Sequence, residues 1–557
     1  MKYFTSFFKN NRKKLITGTL VIGLGAGALS FKEDYFEISK NLEIFTGLYR
    51  DINLYYVDET KPGDLMKKGI DAMLESLDPY TVYIPESRIE DYRFMTTGSY
   101  GGIGANIVQI DGKTFVSDPY ENSPAYKAGL RAGDQLLEVE GKSLAGRNVE
   151  QISDVLKGQA NTEITIKIIP LGTTSPVSKK ISREVIKLKD VPYFGMVNNE
   201  TGYIKLISFT ESASAEVKEA FVNLKDKQGM KQLILDLRGN GGGLLREAVN
   251  IVNFFVPKGE IVVDTRGKVK EWDQVHYALN QPLDTQMPMV VLIDGGSASA
   301  SEIVSGSLQD LDRAVVVGER SYGKGLVQQT RDLFYNSKLK VTVQKYYTPS
   351  GRCIQKLDYS HRSEEGVVTE VPDSLLKKFK TRNGRVVMDG RGIDPDLVVK
   401  DEEMGKIIRP LFEQAMFFKY ANEYALAHPT IPSAKTFHLT DADYAAFIAM
   451  CSDKKLDYKT DTELALEELK KTAEKESYLQ DALKDYENLA QKLIPDTKGD
   501  LVKFKSQIKM ILENEIISRY YFDKGRVEAT LADDPYMAKA LPAFSKPTYT
   551  SILSPGK

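Results

Sequence analysis

Three short runs of apolar residues, each ending in a turn of small residues, constrain this chain more than any other feature. Leu233-Ile234-Leu235-Asp236-Leu237 leads into Arg238-Gly239-Asn240-Gly241-Gly242-Gly243. Met289 to Asp294 leads into Gly295-Gly296-Ser297-Ala298-Ser299-Ala300-Ser301-Glu302, and Ala314-Val315-Val316-Val317-Gly318 into Glu319-Arg320-Ser321-Tyr322-Gly323-Lys324-Gly325. Uninterrupted apolar runs are what strands buried on both faces look like. A further strand is expected at Gly202 to Ile207, and helical spacings fall at Ser214 to Leu224, Leu244 to Phe255 and Ser301 to Leu311. This alternation predicts an α/β layer, occupying residues 186–400. Asn383-Gly384 marks a hairpin near its end.

The flanking textures differ. Residues 95–185 carry short strands (Ala105 to Ile110, Lys113 to Val116, Gln135 to Glu140, Thr162 to Ile169) separated by glycine turns, with a short amphipathic helix at Val149 to Lys157. Residues 32–94 read as helices broken near Lys61-Pro62-Gly63. Residues 401–557 read as all-α, with apolar stripes such as Leu479, Ala482, Leu483, Tyr486, Leu489, Ala490 and Leu493, and as a solvated bundle without chemistry of its own. At 557 residues, three or four domains are expected. The net charge of −2 gives no pull toward nucleic acid, and two cysteines with four scattered histidines do not make a metal centre.

Lys2, Lys9, Arg12, Lys13 and Lys14 precede the uncharged run Leu15 to Phe31. That order predicts export, with residues 1–31 a signal peptide or a membrane anchor. The 17-residue run spans about 26 Å as a helix, marginal for a hydrocarbon core of roughly 30 Å. Ala26-Gly27-Ala28 offers a small-x-small cleavage pattern. The chain is expected outside the cytoplasm, periplasmic or extracytoplasmic, either soluble or held at the inner membrane by residues 15–31. There Cys353 and Cys451 are free to pair if geometry allows.

The glycine loop at 238–243 can gather backbone N–H groups around an anion, or can be only a tight turn. A serine at the strand-to-helix turn 297–301 can be a nucleophile beside an oxyanion site, and Ser299 or Ser301 serves equally well as a helix cap. Lys324 stands between two glycines after a buried strand. No histidine lies in these segments, so a desolvated lysine is the available base. Bringing a lysine from roughly 10.4 to about 7–8 requires about 3–5 kcal/mol of differential solvation, which demands burial near the nucleophile.

Asp-Leu-Arg-Gly-Asn-Gly-Gly-Gly at 236–243, Gly-Ser-Ala-Ser-Ala-Ser-Glu at 296–302 and Tyr-Gly-Lys-Gly at 322–325 resemble the carboxyl-terminal processing (tail-specific) serine peptidases, which use a Ser-Lys dyad. The resemblance covers about residues 40–400. It implies Ser299 as nucleophile, Lys324 as base and Gln328 as the residue orienting that base. It implies an oxyanion hole from the N–H groups of Ala300 and of Gly241 or Gly242, and supporting roles for Glu302 and Asp310. Residues 95–185 then resemble a PDZ domain whose Gly101, Gly102, Ile103 and Gly104 bind the carboxylate of a substrate tail. Leu77-Asp78-Pro79-Tyr80 also resembles a family signature, although physically it reads only as a helix stop before proline.

The implied architecture is multidomain α/β: a PDZ module between a helical N-terminal region and a crotonase- or Clp-like peptidase core, followed by an all-α C-terminal region. The implied function is a serine endopeptidase acting on proteins or peptides with accessible, apolar C-terminal tails, without cofactor, metal or nucleic acid. Self-association through the helical stripes stays open. The competing reading is a non-catalytic scaffold, against which the intact Ser, Lys and Gln count.

Overall fold

The apolar runs pair into a single six-stranded sheet ordered Tyr193–Met196, Thr201–Lys205, Gln232–Asp236, Met289–Ile293, Val315–Gly318, Leu397–Val398. The first pair is antiparallel and every other pair parallel. This is a computed structural model, describing residues 35–363, 366–400, 403–452, 454–494 and 496–554. The expected signal or anchor at 1–31 lies outside them. Among the described residues, no helix is long and apolar enough to cross a membrane. The chain divides into two units, Met1–Tyr83 and Ile84–Lys557.

In the first unit, one helix covers 35–55 and a second runs Pro62–Glu75, with proline in its first turn, where no N–H is needed. Asp78 does more than end a helix. Its Oδ1 accepts from the N–H groups of Tyr80 and Thr81, both at 2.8 Å, building a side-chain-capped turn.

In the second unit, consecutive strands of the central sheet are joined by helices Ala213–Val222, Leu245–Asn253 and Ala300–Asp310. All three pack on one face, where Leu233, Leu235, Met289, Val291, Ile293 and Val316 meet residues such as Phe221, Ile251 and Val304. The alternate residues Ile234, Val290, Leu292, Val315 and Val317 point to the other face. Helices Pro535–Ala543 and Lys546–Leu553 belong to that second face, burying Tyr536, Met537, Ala540, Ala543 and Leu553 against it. The C-terminal region is therefore more than the solvated bundle its sequence suggests. Its end completes the core of the central sheet, while residues 407–517 form their own core around Phe417, Phe447, Leu512 and Ile516.

Residues 99–187 form the β-rich module. Its sheet is ordered Ala105–Ile110, Lys113–Pro119, Gln135–Val139, Glu163–Ile169, Val177–Ser182, and a separate ribbon pairs Ser99–Gly102 with Glu184–Lys187. Helix Val149–Leu156 starts on a capping box between Asn148 and Gln151. The hairpin around Asn383-Gly384 is present between Lys378–Lys380 and Val386–Met388, closed by Thr381 N–H to Arg385 O at 2.9 Å. Unforeseen by the sequence was a second sheet that includes Ile261–Gly267, Gln274–Tyr277, Leu326–Asp332 and Lys338–Tyr347. Cys353 and Cys451 are both free thiols. Burial in the helical core pushes the Cys451 thiol up to about 12.

Tyr536 is 3% exposed between the sheet and Arg238. Tyr536→Ala is expected to cost about 3–5 kcal/mol in urea unfolding, whereas Tyr478→Ala, at a position 65% exposed, is expected to leave stability unchanged.

Candidate active site

Parallel strands deliver their following loops to one edge of a sheet. The three strands Gln232–Asp236, Met289–Ile293 and Val315–Gly318 are neighbours, so the glycine loop, the serine turn and the lysine loop emerge side by side.

The glycine loop is built on two buried polar side chains. Asp236, fully buried, receives Tyr203 OH at 2.6 Å, Lys205 Nζ at 3.1 Å and Arg238 Nη2 at 2.6 Å. Burial opposes its charge, yet Lys205 and Arg238 together hold its carboxyl down at about 2. Asn240, also fully buried, donates to Leu206 O at 2.9 Å and accepts the Gly242 N–H at 2.9 Å. Its own carbonyl accepts Ala298 N–H at 3.0 Å and Ser301 Oγ at 2.8 Å, sewing the glycine loop to the serine turn. Gly242 sits at φ 98°. A Cβ there would lie 2.8 Å from Ser299 Cβ and 2.9 Å from Ala300 N, so only glycine fits.

The three serines of the turn have different fates. Ser297 is buried and donates to Leu237 O at 2.8 Å, and buried Ser301 donates to Asn240 O. Ser299 stays half-exposed at the head of helix Ala300–Asp310. It adopts φ 56°, ψ −111°, a backbone state that costs about 1–3 kcal/mol for a residue with a Cβ. Its neighbours hold it there: its N–H donates to Glu302 Oε2 at 2.8 Å, and its carbonyl accepts Ile303 N–H at 2.9 Å and Tyr346 OH at 3.2 Å.

Glu302 joins the serine turn to the lysine loop. Fully buried, its Oε1 accepts Ser321 Oγ at 2.6 Å and Gly323 N–H at 2.7 Å, and its Oε2 accepts the N–H groups of Ser299 and of Lys324, the latter at 2.9 Å. One oxygen atom thus touches the backbones of both Ser299 and Lys324. Burial raises the Glu302 carboxyl above its usual range, and the four donors work against that rise. Lys324 itself is half-buried between Gly323 and Gly325, which meets the sequence-based demand for burial only in part.

Gln328 lies on strand Leu326–Asp332 at a β-bulge between Val327 and Gln328, and its Nε2 donates to Thr342 Oγ1 at 3.0 Å. Asp310 stands elsewhere, at the far end of the helix that Ser299 starts. There it receives Arg352 Nη2 at 2.8 Å and the Ser350 N–H at 3.1 Å, so its support is to the fold and not to the edge where the loops meet. Asn240 and Tyr346 were missed in sequence. Asn240 carried a signal, a lone amide inside a glycine run after a buried strand; Tyr346 carried none.

In the β-rich module, Gly101 and Gly102 end the ribbon strand, Ile103 is buried, and Gly104 turns at φ 74°. Beside them a groove opens between strand Ala105–Ile110 and helix Val149–Leu156, lined by Tyr100, Ile103, Ala105, Ile107, Ser153, Leu156 and Lys157.

Comparisons with known proteins agree in kind across these parts. The model of peptidase family S41 matches residues 200–361, a PDZ domain model matches 115–170, and the model described as "Probable PDZ-protease, C-terminal helical domain" matches 407–544. A carboxy-terminal-processing protease of Bartonella bacilliformis is 38% identical over 345 residues, 61% of this chain and 77% of that protein. A probable CtpA-like serine protease of Staphylococcus aureus is 36% identical over 317 residues, 56% of this chain and 62% of its own length. Among solved structures, the photosystem II D1 C-terminal processing protease is 27% identical, covering 65% of this chain and 93% of its own, with a TM-score of 0.35.

Glu302→Gln replaces two acceptor positions by an amide that donates. Each buried donor left unpaired costs about 1–3 kcal/mol, so the variant is expected to lose more than about 2 kcal/mol in urea unfolding.

Proposed function

The chain belongs to peptidase family S41, the carboxy-terminal-processing proteases, and on that premise we propose that Ser299 and Lys324 are the catalytic dyad of its serine peptidase activity. The observation that carries this reading is the Glu302 carboxylate, one oxygen of which receives the backbone N–H of both residues. Ser299 is also the serine of its turn that is left half-exposed, while Ser297 and Ser301 are buried and bonded to carbonyls.

Lys324, in its neutral form, takes the proton of Ser299 Oγ as that oxygen attacks the carbonyl carbon of the scissile peptide bond. The negative charge that develops on the carbonyl oxygen is met by the Ala300 N–H at the helix start and by a glycine-loop N–H. Gly242 donates to Asn240 Oδ1, so Gly241 is the loop donor assigned to the oxyanion. The intermediate collapses, the protonated Lys324 gives its proton to the departing amine, and Ser299 carries the acyl group as an ester. Lys324 then deprotonates a water that attacks the ester, releasing the new C-terminus and restoring the serine. Gln328, set by the bulge and by Thr342, orients the lysine.

The groove between Ala105–Ile110 and Val149–Leu156 receives the C-terminal residues of the substrate as an added strand. Its Ile103, Ala105, Ile107 and Leu156 favour an apolar side chain at the end. The charged-then-apolar order of residues 2–31 supports the reading that this peptidase is exported and works outside the cytoplasm.

The test uses an unfolded reporter with an apolar or a doubly acidic tail. Wild type is expected to cleave the apolar-tailed reporter, and Ser299→Ala to lose at least roughly 1000-fold in kcat with its unfolding midpoint unchanged. Lys324→Ala is expected to match it. Turnover by Ser299→Ala at the wild-type rate would remove the dyad from this protein.

A further inference from the structure

Lys340, on strand Lys338–Tyr347 of the second sheet, is partly buried and has no part in the mechanism above. Burial lowers its pKa from the usual lysine range, and among the described residues it has neither a carboxylate nor a hydrogen-bond acceptor to answer its charge. Its surroundings follow from strand register. Gln328 stands opposite Thr342, Thr330 opposite Lys340 and Asp332 opposite Lys338. Opposite residues of an antiparallel pair project to one face, as do residues two apart on a strand. The contacts agree: Gln328 donates to Thr342, and Lys338 pairs with Asp332.

The same face meets helix Ile89–Thr97. Tyr92 OH donates to Thr330 Oγ1 at 2.9 Å, and Lys338 Nζ lies 6.0 Å from the centre of the Tyr92 ring. That helix passes through Gly98 into Ser99–Gly102, the first strand of the β-rich module. Lys340 therefore stands between Gln328, which orients the base, and the element that leads into the module. It is two residues from Thr342, about 7 Å along the strand.

We propose that Lys340 binds an acidic side chain of the substrate, on the C-terminal side of the bond that is cut, and so helps to select where in a tail the cut falls. This rests on reading Ser299 as the nucleophile and the β-rich module as the holder of the tail. A chain held by its end in the module and cut at Ser299 passes along this face with the residues that follow the bond. An ammonium that has given up water without gaining a carboxylate is stabilised by a carboxylate brought to it. Lys338 next to it is already matched by Asp332, so an acidic group arriving at this face finds its partner in Lys340.

The test uses the full chain and apolar-tailed peptides that carry Glu, Gln or Lys at each position in turn after the cleaved bond, with the cuts located by mass spectrometry. In the wild type, Glu at one of those positions is expected to raise kcat/KM about tenfold over Gln, the scale of one charge-assisted bond, and Lys to lower it. Lys340→Met is expected to bring the Glu-to-Gln ratio at that position to about one. Lys340→Glu is expected to invert the preference, so that the Lys peptide is cut faster than the Glu peptide. A structural role does not reverse such a ratio, and comparing peptides on one variant cancels any loss of folded protein. Cleavage of the Gln peptides by the wild type with no gain from Glu at any position overturns this inference while the dyad stands, as does a Glu preference that survives Lys340→Met. If the wild type cuts none of the peptides, the peptidase reading falls and the inference falls with it.

Discussion

A parallel sheet must be covered on both faces, and this one cannot cover itself. Its parallel strands Thr201–Lys205, Gln232–Asp236, Met289–Ile293 and Val315–Gly318 follow one another in order across the sheet, and crossovers of one hand between consecutive strands put every connecting helix on the same side. Ile234, Val290, Leu292, Val315 and Val317 would then face water. The final helices of the chain resolve this, and Arg238 fastens them: it bonds Asp236 inside the sheet, reaches Asp534 at 2.6 Å, and lies 4.5 Å from the centre of the Tyr536 ring. Arg238, the residue that opens the glycine loop, is thus also the anchor of the cover.

The same topology explains why the three loops collect at one edge. Three adjacent parallel strands end there, and the loops that follow need a way to stay in register with one another. Asn240 ties the first loop to the second with its carbonyl and spreads its amide between Leu206 and Gly242. Glu302 ties the second to the third. A buried carboxylate is costly unless its oxygens are filled, and here both oxygens each take two donors. Three of those four donors are backbone N–H groups, so the carboxylate fixes where the Ser299 and Lys324 side chains begin. The left-handed backbone of Ser299 survives because these bonds over-determine it.

The sheet was legible because its strands are uninterrupted apolar runs, and Met289–Ile293 forms as the run predicts. The serine turn was legible as a turn and the family resemblance singled out Ser299, but the physical difference from Ser301, which is buried and bonded to the Asn240 carbonyl, is not displayed by sequence. The second sheet escaped notice because strands such as Lys338–Tyr347 are half-buried and mixed in character, KLKVTVQKYY, so no clean period of two appears. The role of Pro535–Ala543 was hidden for another reason. Its apolar residues fit any helix core, and only the strand order shows which face lacks a cover. Asp310 lies on the helix that Ser299 begins, and eleven residues of helix at 1.5 Å each carry it about 16 Å away.

The C-terminal helices also explain how one chain can hold a PDZ module and a sheet edge in a fixed relation. Helix Lys505–Thr530 breaks its own geometry at Phe522, which takes φ 55°, ψ −161°. At that break the Phe522 ring meets Tyr126 of the β-rich module at 5.3 Å, and four residues on Arg526 bonds Asp118 of the same module at 3.0 Å. One residue later Val527 packs against the uncovered face of the central sheet, and Leu531 follows. A straight helix presents one stripe to one neighbour. The break at Phe522 lets consecutive turns serve two, so the element that covers the sheet is the element that seats the module.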